Sequence, residues 1–182
     1  MKMKPVLLPM FGVMLFCLNA ASYEFSTGKV FLRGVFGATV NVFRYDAIPS
    51  EASPGAGLML GLEADYIVTR PWSLIAGFRP SFSPGYVDLG FSVGAKYRWD
   101  DVVAPITLYG SLELTPAVLL PVAPSSVHFN MGLRPSFGFE YFLMRDLVVG
   151  GQLAIDPSWL VTKRFSSFEG SIDIAGSIMY KI

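Results

Sequence analysis

The stretch VHFNMGLRPSFGFEYF, residues 127–142, decides the fold. Every second residue gives Val127, Phe129, Met131, Leu133, Pro135, Phe137, Phe139 and Tyr141, apolar throughout. The intervening set, His128, Asn130, Gly132, Arg134, Ser136, Gly138 and Glu140, is small, polar or charged until Phe142 closes it. A strict period of two belongs to a β-strand with two unlike faces. Length is the second clue. Strands of soluble proteins run about 5–6 residues, whereas a tilted strand crossing a bilayer needs about 9–11. A long strand that is apolar on one face and carries Arg134 and Glu140 on the other predicts lipid outside and a polar interior.

The same pattern recurs along the chain. Residues 30–44 set Leu32, Phe36, Val40 and Val42 against Arg33, Thr39 and Asn41, and residues 55–68 set Leu58, Leu60 and Leu62 against Glu63 and Asp65. Residues 72–83 oppose Leu74, Phe78 and Phe82 to Ser73, Arg79 and Ser81; residues 86–99 oppose Leu89, Phe91 and Val93 to Asp88, Ser92, Lys96 and Arg98. Residues 106–115 place Leu108, Leu112 and Leu114 outward, with Tyr109, Ser111 and Glu113 inward. Residues 147–156 oppose Val149, Leu153 and Ile155 to Gln152 and Asp156, and residues 169–182 oppose Ile172, Ile174, Ile178 and Tyr180 to Ser171, Asp173, Ser177 and Lys181.

With 127–142 these make eight strands and no intervening helical pattern. The expected fold is all-β: an eight-stranded antiparallel up-and-down transmembrane β-barrel, both ends on one side of the membrane. Short turns follow strands two, four and six, and longer loops (45–54, 116–126 and 157–168) follow strands one, five and seven. The two-residue Pro84–Gly85 turn breaks that asymmetry. GFRPSF at 77–82 recurs as GLRPSF at 132–137. A proline inside a paired strand lacks a ladder donor, which predicts a bulge or distorted pairing at Pro80 and Pro135.

Composition narrows the class. Of 182 residues, 52% are hydrophobic and only 15% charged, against about 25% charged in soluble domains. Lys and Arg (14) balance Asp and Glu (14), so the totals leave no basic footprint for nucleic acid. Beyond the N-terminus no apolar run reaches the about 18 residues of a spanning helix. The uncharged stretch 114–129 contains Pro116, Pro121 and Pro124, which a helix tolerates poorly.

The N-terminus has the form of a targeting segment. Lys2 and Lys4 precede an apolar core at 6–18, followed by the small residues Ala20, Ala21 and Ser22. The expected division is a signal peptide at 1–22 and a barrel domain at 23–182, opening on a polar lead-in at 23–29. The single cysteine, Cys17, falls inside the signal segment, and the mature chain is expected to have none. Phe16 stands where a lipoprotein signal wants a small residue, which argues against lipidation.

Every charge in the middle of a predicted strand falls on one face. Arg or Lys on a lipid face near the bilayer centre costs about 2–4 kcal/mol, and selection against that cost leaves this pattern. A soluble ligand-carrying barrel would show the inverse, with charges outside. Aromatic residues also gather near strand ends: Tyr66, Trp72, Tyr97, Trp99, Tyr141 and Tyr180 at the turns, and Phe43, Phe82, Tyr86 and Trp159 at the loops. Amphipathic rings favour the headgroup zone.

The turn at 66–74, with Thr69, Pro71, Trp72, Ser73 and Leu74, resembles the periplasmic turns of small outer-membrane barrels. With the signal segment, the eight-strand meander and the C-terminal strand, nearly the whole chain is similar to barrels of the OmpA-transmembrane and OmpW type. That resemblance implies the outer membrane of a Gram-negative-type (diderm) bacterium, contact with outer-membrane lipid, and insertion by the barrel-assembly machinery. The machinery reads an aromatic at the end of the last strand in that family; here Tyr180 lies two places before Ile182.

An eight-stranded barrel is nearly filled by its own side chains, and charges placed there must pair. The candidate lumen network is Arg33, Glu63, Asp65, Arg79, Asp88, Lys96, Arg98, Glu113, Arg134, Glu140, Asp173 and Lys181. Arg33, Lys96, Arg98 and Lys181 are expected to meet Glu63, Asp65 and Glu140; Arg79 and Arg134 are expected to meet Asp88, Glu113 and Asp173. The expected role is structural or surface-exposed through the loops, with an unnamed loop partner and a lumen plugged by paired charges. A passive channel or a conduit for small hydrophobic molecules is the alternative. A lipid-modifying enzyme would need Ser126 or His128, but no third residue to orient the imidazole is evident, and no enzymatic activity is expected. One histidine and no mature cysteine leave no usual metal set, and no cofactor is expected.

Overall fold

The computed structural model describes residues 25–45, 56–83, 86–103, 106–121, 127–161 and 166–182. The expected signal peptide, most of loop 45–54, Pro84–Gly85, Ser126, Lys163 and Arg164 lie outside them. Eight strands close into one antiparallel barrel, each paired with the next and the last with the first. In chain order they are β1 (Val30–Tyr45), β2 (Ala56–Ile67), β3 (Trp72–Ser83), β4 (Tyr86–Val103), β5 (Ile106–Pro121), β6 (His128–Met144), β7 (Leu147–Val161) and β8 (Ser166–Lys181). They run from 12 to 18 residues, beyond the about 9–11 that a bilayer crossing needs.

The alternating pattern sorts inside from outside. Leu58, Leu62 and Ile174 are 69%, 61% and 63% exposed, while Arg33, Lys96 and Glu140 are 1%, 0% and 0% exposed. This inverts the arrangement of a water-soluble protein, where Lys, Glu and Arg are almost never fully buried. At the turn end of the outer face, Trp72 lies 4.9 Å from Tyr97, Tyr97 5.3 Å from Trp99, and Trp99 6.1 Å from Phe137. At the loop end, Trp159 lies 4.9 Å from Phe168. Tyr86 departs from the expected loop-end belt. It points into the lumen, where its Oη accepts a hydrogen bond from Asn41 Nδ2 at 2.7 Å.

Two expected loops prove to be largely strand. β5 continues through Pro116 to Pro121, and β7 continues through Pro157 to Val161. The reason lies in ladder geometry. In an antiparallel strand the N–H and C=O of one residue point to the same neighbour, and those of the next residue to the other. A proline therefore removes a donor on one side only. Pairing of β5 with β6 runs unbroken through Pro116↔Met131, while β4 and β5 lapse between Gly90↔Ala117 and Val93↔Leu114.

Pro80 and Pro135 behave alike. β2 and β3 lapse between Met59↔Ser81 and Leu62↔Phe78, and β6 and β7 between Gly132↔Ser158 and Ser136↔Ala154. In each case the register on either side of the lapse is the same, so the pairing is interrupted without the extra residue of a bulge. Register shifts occur elsewhere, at Asn41/Phe43, Trp99/Val103 and Phe142/Met144.

Candidate functional site: the charged lumen

The lumen is built in layers, beginning at the turn end with an apolar seal. Phe31, Ile67, Phe142, Val148 and Met179 point inward there and surround Phe25. Phe25 comes from the lead-in, which the sequence reading treats as polar. Its ring centroid lies 5.2 Å from that of Phe31 and 4.8 Å from that of Phe142. The Arg98 guanidinium sits 4.0 Å from the same ring, a cation–π geometry. A turn at Gly28, with φ of 78°, returns the lead-in to β2. Gly28 N donates to Ile67 O at 2.7 Å and Ile67 N to Lys29 O at 2.9 Å.

Emptying a buried Phe site costs about 3–5 kcal/mol, enough to release so short a segment. We expect Phe25→Ala to speed labelling of a cysteine introduced at Val148 by about tenfold or more, since each tenfold is only about 1.4 kcal/mol. An unchanged labelling rate would show that the lead-in is not the seal.

Above the seal sits an ionic quartet. Asp65 on β2, Lys96 and Arg98 on β4 and Glu140 on β6 are all fully buried. Lys96 Nζ donates to Asp65 Oδ2 at 2.5 Å and to Glu140 Oε1 at 2.9 Å. Arg98 donates through Nη2 to Asp65 Oδ2 at 2.6 Å, through Nε to Glu140 Oε2 at 2.7 Å and through Nη1 to Ser73 Oγ at 2.9 Å. Two cations and two anions cancel, and the bonds cross from β2 to β6.

A second layer follows. Arg33 lies 3.6 Å from Glu63, its direct cross-strand neighbour. Arg79 bonds Glu63 through Nε and reaches Glu113 at 2.6 Å. Tyr109 on β5 joins the layers: its Oη accepts from Arg33 Nη2 at 2.6 Å and donates to Gln152 Oε1 at 3.0 Å, while Lys96 Nζ lies 4.7 Å from its ring. Gly138 makes room for that ring, since a Cβ there would fall 2.6 Å from Tyr109 Oη. Farther toward the loops Arg134 pairs with Asp173 at 3.0 Å, tying β6 to β8.

Ten of the twelve candidate residues thus meet in ion pairs: Arg33, Glu63, Asp65, Arg79, Lys96, Arg98, Glu113, Arg134, Glu140 and Asp173. Two depart from expectation. The sequence pattern sets Asp88 to meet Arg79 or Arg134, yet Arg79 turns to Glu63 and Glu113, Arg134 to Asp173, and no cation among the described residues pairs with Asp88. Lys181 lies half-exposed at the turn end and pairs with no acid among the described residues; its backbone N donates to Asp146 O at 2.9 Å. His128 begins β6 at the loop end, half-buried. Tyr109 and Phe25 were missed as site residues. Period two already placed Tyr109 inward, whereas nothing in the lead-in's composition marks Phe25.

No known family profile matches the chain, and no curated protein sequence matches it. Solved structures do resemble it. Neisserial surface protein A superposes with a TM-score of 0.67 at 12% identity, over 87% of this chain and 100% of that one. The outer membrane protein OprG from Pseudomonas aeruginosa gives 0.60 at 14% identity, over 89% and 99%. The N-terminal β-barrel domain of OprF from the same organism gives 0.54 at 10% identity, over 84% and 99%. The fold is that of the small eight-stranded outer-membrane barrels. The likeness is one of backbone path and closure.

Proposed function

We propose that the protein is an integral barrel of a diderm outer membrane, structural or surface-exposed in role, whose lumen is closed by its own paired side chains. The observation that carries this reading is the quartet Asp65–Lys96–Arg98–Glu140, fully buried and bonded across the barrel. Paired charges of net zero leave nothing for a passing ion to exchange with, and water has little room beside them. The exposed aliphatic wall suits lipid, and Tyr180 near the end of β8 offers the assembly machinery an aromatic signal. No step of substrate chemistry is assigned to the lumen.

Planar-bilayer recording tests the plug. The intact protein should give no stepwise conductance above that of the bilayer. Sustained openings would replace the plugged barrel by the channel reading. If small apolar solutes crossed protein-containing vesicles without any ionic conductance, the conduit reading would gain instead.

A further inference from the structure

Among the described residues, the charges of the lumen do not balance at its loop end. The five buried cations Arg33, Arg79, Lys96, Arg98 and Arg134 are matched by Glu63, Glu113, Asp65, Glu140 and Asp173. Asp88 and Asp156 remain. Asp156 accepts a hydrogen bond from Thr115 Oγ1 at 3.0 Å and has no cation partner among the described residues. Asp88 Oδ1 is buried without any hydrogen-bond partner. Both side chains are half-buried, and a carboxylate without a counter-charge there is unfavourable unless a proton or a positive group neutralises it.

A second observation points to the same place. Two adjoining cavities of about 70 and 50 Å³ share Asp88, Asn130 and Asp156 in their walls. Asn130 is only 7% exposed; its Nδ2 donates to Ser158 Oγ at 3.1 Å, and its Oδ1 is left without a partner. The deeper cavity is bounded by Arg79 and Arg134, both already neutralised; the outer one has no basic side chain among its described lining residues, and Glu169 adds a further acid at its edge. In the outer wall Asp88 Oδ1 and Asn130 Oδ1 are buried oxygen acceptors without a hydrogen-bond donor.

We propose that this loop-end chamber binds a small ammonium ion, its N–H groups shared among the Asp88 and Asp156 carboxylates and Asn130 Oδ1. A primary alkylammonium such as methylammonium supplies three donors and no acceptor, which matches the wall. A chelated metal fits less well, because the described residues contain no group of three or more His, Cys, Asp or Glu side chains that could hold one. Ionised carboxylates also make the stronger kind of hydrogen bond to such a cation. Binding takes place in the plugged barrel, so it stands or falls separately from the conductance result.

The test uses the mature chain, refolded in detergent and labelled with ¹⁵N, with methylammonium chloride as probe and tetramethylammonium chloride, which has no N–H, at equal ionic strength. The side-chain amide signal of Asn130 should shift saturably with methylammonium and not with tetramethylammonium. Asp88→Asn and Asp156→Asn, nearly isosteric, should each weaken binding by about tenfold or more, the usual scale for losing one charged hydrogen-bond partner. Equal responses to both salts would mean screening only and overturn the proposal. So would no saturable shift, preferential binding of calcium, or unchanged affinity in both variants. Should either variant fail to fold, the comparison of the two salts on the native chain still decides.

Discussion

Glu140→Ala lowers the unfolding free energy by about 3–5 kcal/mol, the range for breaking a buried ion pair from one side. The effect is expected to be this large because Glu140 accepts from Lys96 at 2.9 Å and from Arg98 at 2.7 Å, and none of the three is exposed. Without it, two cations share Asp65 Oδ2 alone, already 2.5 Å from Lys96 and 2.6 Å from Arg98. Glu140→Gln keeps a carbonyl acceptor but loses the charge, and falls between wild type and alanine. The measurement is urea unfolding in lipid vesicles, followed by tryptophan fluorescence. A loss below about 1 kcal/mol, the value of an exposed pair, would mean that water reaches the quartet and that the plug is not closed.

On the outer face the second large effect is expected. Leu62 is 61% exposed at mid-strand, directly opposite Gly34 on β1. Leu62→Arg should destabilise the vesicle-folded barrel by about 2–4 kcal/mol, the cost of Arg at the bilayer midplane. On a water-facing surface the same replacement would stay within about 0.5 kcal/mol. Lys or Arg nearer a rim, for example at Tyr180, should cost little, because the penalty fades to about 0–1 kcal/mol at the interface. The contrast between the two depths distinguishes lipid from a generic intolerance of charge.

Much of this molecule can be read from one periodicity. Strand count, inward and outward sets and the partition of charges all follow from period two, because a residue's face in a strand depends only on parity. Strand ends are less legible. Pro116 and Pro157 look like loop residues, yet each removes a donor toward only one neighbour, and the ladder to the other neighbour carries the strand onward. The sequence also names which residues enter the lumen without naming partners. Arg134 lies directly opposite Glu113 in register, yet its guanidinium reaches Asp173, because Arg79 has taken Glu113. Long side chains in a narrow barrel choose among several partners, and only three-dimensional packing decides. Phe25 is illegible for a different reason: its place depends on a turn at Gly28 outside any strand.

The central claim is that hydrocarbon touches the apolar wall of the barrel, and the tryptophans report on it directly. All three of them, Trp72, Trp99 and Trp159, lie on the outer face, 50%, 41% and 54% exposed. The protein should be folded into vesicles whose acyl chains carry bromine at a shallow depth, then at the bilayer centre. Strong quenching from the shallow position and weaker quenching from the centre is the expected result, since the rings sit at the two rims. Fluorescence untouched by bromine at either depth, in a chain that stays monomeric without detergent, would contradict the account.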